Sequence, residues 1–222
     1  MTQFNIEIVS DTVCPWCYVG KQKLDKAIQS YKEAHPDSND TFSTTWLPFY
    51  LNPGAPKTGV EKKAYYESKF GEERTAMVFE RLIGVGEEAG IKFKFGGKTG
   101  NTRDSHRLIQ LGKKKSPATQ TRVVEELFKT YFEQEGDITD HDTLKKCAVR
   151  AGLDEKEVEE WLSSDLGGEE VDSEVAVARR NAVTGVPNFT VQNKYEVGGA
   201  QDVSVFLRLF EKIKATEESA KV

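Results

Sequence analysis

A chain of 222 residues is long enough for one large domain, or a domain carrying an insertion, and its net charge of −5 argues against nucleic-acid binding as its main role. Its 31 basic and 36 acidic residues are mixed along the chain, as on solvated helix faces. No apolar stretch approaches the ~18 residues of a membrane span. The opening Met1-Thr2-Gln3-Phe4 has neither the basic nor the apolar region of a secretory signal, so a cytoplasmic setting away from membranes is expected.

Phe4 to Ser10 alternates apolar and polar residues and predicts a first strand. Cys14-Pro15-Trp16-Cys17 comes next. Leu24, Ala27, Ile28 and Tyr31 then recur at i, i+3, i+4 and i+7, the pattern of a helix with one face on a sheet. Thr41 to Leu51 reads as a second strand that ends at Pro48 and the Asn52-Pro53-Gly54 turn. From there to about Ser164 the pattern predicts helices and no strand. The segments are Val60–Phe70, Thr75–Ala89, Arg103–Lys113, Pro117–Gln134, Asp140–Ala151 and Asp154–Leu162, with Thr139 and Asp154 as candidate N-caps. The glycine-rich Phe95–Gly100 stretch lacks the strand, helix and spacing of a phosphate-binding loop.

A helix over Val171–Val183 follows, then Gly185-Val186-Pro187, a strand at Asn188–Gln192, a turn at Asn193-Lys194 and a strand at Tyr195–Gly198. Val203, Phe206, Leu207 and Phe210 mark a last helix, and the charged tail, 216–222, is expected to fray.

The cysteine pair carries the chemistry. Pro15 suits the first helical position, where a missing N–H costs nothing, so Cys14 falls at the N-cap beside unpaired backbone N–H groups. A helix terminus stabilises a nearby anion by roughly 0.3–1 kcal/mol, and by up to about 2 in a sheltered site, which favours a thiolate on Cys14. Cys14 is therefore expected to be the accessible, attacking thiol and Cys17, one turn inward, the resolving one. Structural zinc commonly takes four ligands, whereas here one pair stands with a distant Cys147 and with His35, His106 and His141 at no ligand-like spacing. No metal site is expected, and a zinc-holding interaction module is kept as an alternative. Cys147, Trp46 and Trp161 read as core residues.

The order β-α-β, a block of helices, then α-β-β-α, with CxxC opening the first helix and Val-Pro before a terminal hairpin, resembles a thioredoxin fold with an inserted helical domain. More narrowly, the chain resembles the DsbA-like oxidoreductases in their FrnE-like branch. The resemblance rests on Asp11–Gly20 (DTVCPWCYVG), Pro48–Pro53 (PFYLNP), Asn101–His106 (NTRDSH), Gly185–Phe189 (GVPNF) and Lys194–Gln201 (KYEVGGAQ). It implies an α/β fold whose thioredoxin-like domain is split between 1–55 and 170–215, with a helical insertion at 56–169.

It also implies a thiol–disulfide oxidoreductase in which Pro187 is a cis-proline facing the cysteines and the Val186 backbone pairs with substrate. Pro15 and Trp16 would be substrate-contact surface. Asn101, Thr102 and His106 would shape the substrate cleft, or form only a helix cap with an exposed histidine. Asp11 would relay a proton from Cys17 or merely cap the loop. The expected substrate is a disulfide- or dithiol-bearing protein or small molecule, with no tightly bound cofactor and glutathione as a candidate redox partner. A glutathione-dependent isomerase or transferase of the 2-hydroxychromene-2-carboxylate isomerase or kappa class is the main alternative. Such proteins typically carry serine where Cys14 stands.

Overall fold

The structure, a computed structural model, describes residues 1–219. Strand β1 (Gln3–Ser10) lies at the centre of a four-stranded sheet of order β2-β1-β5-β6, beside β2 (Thr41–Pro48), β5 (Asn188–Val191) and β6 (Tyr195–Gly198). β1 and β2 run parallel, which requires a crossover, and helix α1 (Pro15–Ala34) supplies it. β5 pairs antiparallel with β1 and with β6, setting Ile8 opposite both Trp46 and Phe189.

The two-residue period of β1 decides what covers each face. Phe4, Ile6 and Ile8 are buried in the main core, where the Phe4 ring meets Tyr31 of α1 and Phe210 of α9 (Val203–Ser219). Val9 points the other way and packs with Phe49 and with Ala178 of α8 (Gly168–Arg180).

Between β2 and α8 lie the helices α2 (Lys62–Phe70), α3 (Glu72–Ala89), α4 (Arg103–Lys115), α5 (Pro117–Glu133), α6 (His141–Arg150) and α7 (Glu155–Ser163). The chain is thus a mixed α/β fold whose element order is the one the resemblance implied. The core runs without a break from Ile8 in the sheet through Trp46 to Phe128, Leu144 and Val158 among the helices. Trp46, Trp161 and Cys147 are all buried in it.

Several boundaries differ from expectation. Two short strands, β3 (Val60–Glu61) and β4 (Lys98–Thr99), pair antiparallel inside the helical block. At two residues each they are too short to show an alternating pattern. Asp140, not Thr139, caps α6, its carboxylate accepting from Thr143 N at 2.9 Å, while Thr139 N and its hydroxyl both donate to Asp137. Asp154 caps α7 as expected. Helix α9 continues to Ser219, beyond the expected start of the frayed tail, and the remainder of that tail, 220–222, lies outside the described residues.

Candidate active site

Pro15 occupies the first turn of α1, and Cys14 is its N-cap with extended backbone angles of φ −88° and ψ 110°. The Cys14 side chain forms no capping hydrogen bond, while its N–H donates to Asp11 O at 3.0 Å and its carbonyl accepts from Cys17 N at 3.1 Å. Its thiol lies 3.5 Å from the carbonyl oxygen of Val186, whose peptide to Pro187 is cis. Gly20 makes room for that loop, because a methyl group there would stand 2.9 Å from Pro187 Cγ.

Cys14 is only 3% exposed, in contrast to the open sulfur expected from sequence. It borders a cavity of about 400 Å³, within the usual range of small-molecule sites. Val13, Pro15, Trp16 and Val186 line one side of this cavity, and Tyr66, Phe79, Phe95, Tyr131 and Phe132 line much of the rest. The Arg81 guanidinium lies over the Trp16 ring. Cys17 is fully buried, does not line the cavity, and has its thiol pushed well above the ordinary value. Burial is the main cause, reinforced by the hydrogen bond to Cys14 and by Cys14's charge. The Ser10 hydroxyl and the Asp11 backbone pull the other way and are outweighed.

Asp11 and the α4 residues meet beneath the motif rather than in the cavity. The fully buried Asp11 carboxylate accepts from Leu51 N at 2.8 Å and lies 3.3 Å from His106 Nε2. The same nitrogen is 3.2 Å from the Phe49 carbonyl, and the Ser105 and Thr12 hydroxyls are 2.8 Å apart. His106 is therefore buried, at 3% exposure, and not the exposed ring of the simpler sequence reading. Thr102 places its carbonyl on His106 N, and Asn101 receives the Arg103 N–H at 2.9 Å. Asn101, Thr102 and His106 do not line the cavity beside Cys14. His106 braces Asp11 directly and Thr102 braces Thr12 through the Ser105 hydroxyl, while Asn101 bonds to the backbone of Pro53 and Pro56.

Sequence reasoning passed over Lys62 and Thr75. Both are buried and both line the cavity. Lys62 Nζ donates to Tyr131 O at 3.1 Å and lies 3.8 Å from the centre of the Tyr131 ring. Burial draws its ammonium down to about 8, with Glu135 opposing weakly. A lysine at the start of a charged helix carries no mark of burial; the aromatic density of Tyr65, Tyr66, Phe70 and Phe79 nearby was the available signal. Among the described residues, no three His, Cys, Asp or Glu side chains come together as a metal site would need, and no helix is long and apolar enough to cross a membrane.

The DSBA-like thioredoxin domain family matches residues 5–211. The chain belongs to that family, whose members are thiol–disulfide oxidoreductases. A crystal structure described as a probable DsbA oxidoreductase from Streptomyces coelicolor is 29% identical, with a TM-score of 0.83 over 94% of this chain and 89% of that one. Two further structures share the fold. A 2-hydroxychromene-2-carboxylate isomerase is 18% identical with a TM-score of 0.63, over 98% of this chain and 96% of that one. The cytosolic disulfide reductase DsbM from Pseudomonas aeruginosa, solved with glutathione, is 14% identical with a TM-score of 0.57, over 97% and 98%.

Proposed function

We propose that this DsbA-like chain reduces or isomerises disulfides through Cys14 as attacking thiolate and Cys17 as resolving thiol. The observation that carries this reading is the asymmetry of the pair. Cys14 sits at a helix N-terminus on the wall of a cavity, whereas Cys17 is sealed beneath it with its proton held by burial. In the first step Cys14 sulfur bonds to one substrate sulfur, the substrate S–S bond breaks, and the other sulfur leaves as a thiolate that takes up a proton. Cys17 then loses its proton and attacks Cys14, the mixed disulfide breaks, and the second substrate thiol departs. Two electrons pass to the substrate and the enzyme is left with a Cys14–Cys17 disulfide.

The direction of net flow depends on the reduction potential, about 30 mV being worth 1.4 kcal/mol for two electrons. A reducing cytoplasm favours reduction or isomerisation, and the FrnE-like branch is the placement we favour. Glutathione is our candidate redox partner, supported by the fold shared with DsbM, and no tightly bound cofactor enters the reaction.

Insulin reduction with dithiothreitol is the direct test: native protein should accelerate it and Cys14→Ser should not. Cys17→Ser should instead accumulate a mixed disulfide with substrate. Equal rates for native protein and Cys14→Ser would overturn this reading. Glutathione conjugation that survives Cys17→Ser would favour the isomerase alternative, and a stoichiometric zinc ion in reduced protein would favour the interaction module.

A further inference from the structure

The walls of the cavity beside Cys14 are mainly apolar, with the exposed Arg74 among them, yet it also holds two buried polar groups whose bonding is incomplete. Lys62 is 1% exposed, its ammonium bonds to a backbone carbonyl and not to a carboxylate, and Glu135 acts on it only through its charge. Of its three N–H donors, one meets the Tyr131 carbonyl and the Tyr131 ring face lies within cation–π range. The Thr75 hydroxyl, on a side chain with 3% exposure, has no hydrogen-bond partner. Buried polar groups are ordinarily paired, and a buried ammonium ordinarily has a counter-ion. Two such groups lining one cavity are the complement of an anionic hydrogen-bond acceptor.

The remaining surface fixes the rest of the ligand. Tyr66, Phe79 and Phe95 present ring faces and edges, and Phe79 and Phe95 are stacked at 4.0 Å. Cys14, so little exposed, meets its substrate only where that substrate enters the cavity. A volume of about 400 Å³ holds a small molecule with an apolar body.

We infer that the site takes a low-molecular-weight disulfide with an aromatic or aliphatic body and a carboxylate, the carboxylate binding Lys62 Nζ and the Thr75 hydroxyl while the disulfide faces Cys14. This rests on the exchange chemistry proposed above and names its substrate class. The balance is that of one turnover: the disulfide gains two electrons and two protons to become two thiols, and Cys14 and Cys17 lose them to form their own disulfide. An external dithiol restores the enzyme.

The test compares bis(4-carboxyphenyl) disulfide with its neutral diamide, bis(4-carbamoylphenyl) disulfide, in single turnovers of fully reduced protein at neutral pH. Each rate is divided by that with free dithiothreitol to remove intrinsic reactivity. Native protein should prefer the carboxylate by about tenfold, the scale of one charge-assisted hydrogen bond. Lys62→Met should bring the ratio close to one, and Thr75→Val should lower it in part, with circular dichroism showing both variants folded. In a parallel arm, naphthalene-2-carboxylate should bind tighter than naphthalene-2-carboxamide, read through Trp16 fluorescence, with the same loss in Lys62→Met.

Equal rates for the two disulfides, or equal binding of the two naphthalenes, overturn the inference while exchange itself stands. Faster reduction of insulin than of the carboxylate disulfide assigns the cavity to a protein segment and likewise overturns it. Absence of exchange with every disulfide, with carboxylate binding retained, overturns the proposed function and with it the disulfide as substrate.

Discussion

At the scale of single residues, one helical turn gives two thiols opposite situations. Cys14 ends at a cavity wall and Cys17 is enclosed, with burial the main reason its proton is held. In Cys14→Ser, Cys17 should therefore resist iodoacetamide at neutral pH and react only as the solution becomes alkaline. The same protein in urea should be alkylated quickly, and mass spectrometry of the labelled peptide distinguishes the two. Rapid labelling of folded Cys14→Ser near pH 7 would contradict the asymmetry. Asp40 offers a second residue-level test. Its side chain is 3% exposed, and burial would raise its carboxyl. The Ser38 hydroxyl, the Lys214 ammonium, Thr2 N and the Tyr31 hydroxyl together hold it well below the ordinary range. A carboxyl lowered on folding stabilises the native state above its unfolded value, about 3.9, and that contribution disappears as pH falls toward the folded value. Asp40→Asn should thus cost about 2–3 kcal/mol in urea unfolding at pH 7. The gap from native protein should narrow below about pH 4, where the unfolded carboxyl is protonated.

At the scale of elements, the edge of β2 shows how the helical block is fastened to the sheet. Gln120 of α5 imitates a neighbouring strand: its Oε1 accepts from Trp46 N at 3.0 Å and its Nε2 donates to Trp46 O at 2.8 Å. Gln120→Ala should leave both backbone groups buried and unpaired and cost about 2–4 kcal/mol, read as a lower urea midpoint with an unchanged slope. Nothing near Gln120 in sequence announces this role, because it depends on a residue 74 positions away. The readable features were those with local causes. Alternation marked β1, the 3.6-residue period marked α1 and α5, and Asp154 marked the start of α7. The place of Cys14 at a helix start was legible because Pro15 follows it, whereas the facing of Val186 was implied only by the family resemblance. His106 and Lys62 were not legible, because burial of a charged or titratable side chain is decided by distant partners: Asp11 and Phe49 for one, Tyr131 for the other. The β3–β4 pair was invisible for a different reason, since two residues cannot display a period.

At the scale of the whole molecule, the question is whether the sheet and the inserted helices unfold together. Chains beyond about 150 residues commonly populate intermediates, and an insertion of this kind is a natural place for one. Here the packing opposes that outcome. Phe128 of α5 meets both Tyr18 of α1, at 5.1 Å, and Trp46 of β2, at 6.1 Å. The Tyr18 hydroxyl donates to Glu133, Lys21 pairs with Glu125, and Trp46 Nε1 donates to the Thr121 hydroxyl at 3.1 Å. Separating the two parts would expose this aromatic junction and strand the Trp46 backbone groups, so neither part keeps a complete core without the other. Cooperative unfolding follows. Trp46 reports on the sheet and Trp161 on the helices, so variants that retain only one of them, with the remaining tryptophans changed to phenylalanine, can be compared in urea against far-UV circular dichroism of the same samples. Within each variant, fluorescence and dichroism midpoints should agree to about 0.3 M, because a two-state transition looks the same to every probe. A Trp161 transition clearly separated from the dichroism curve would mean that the helical block is an independent unit resting on the sheet.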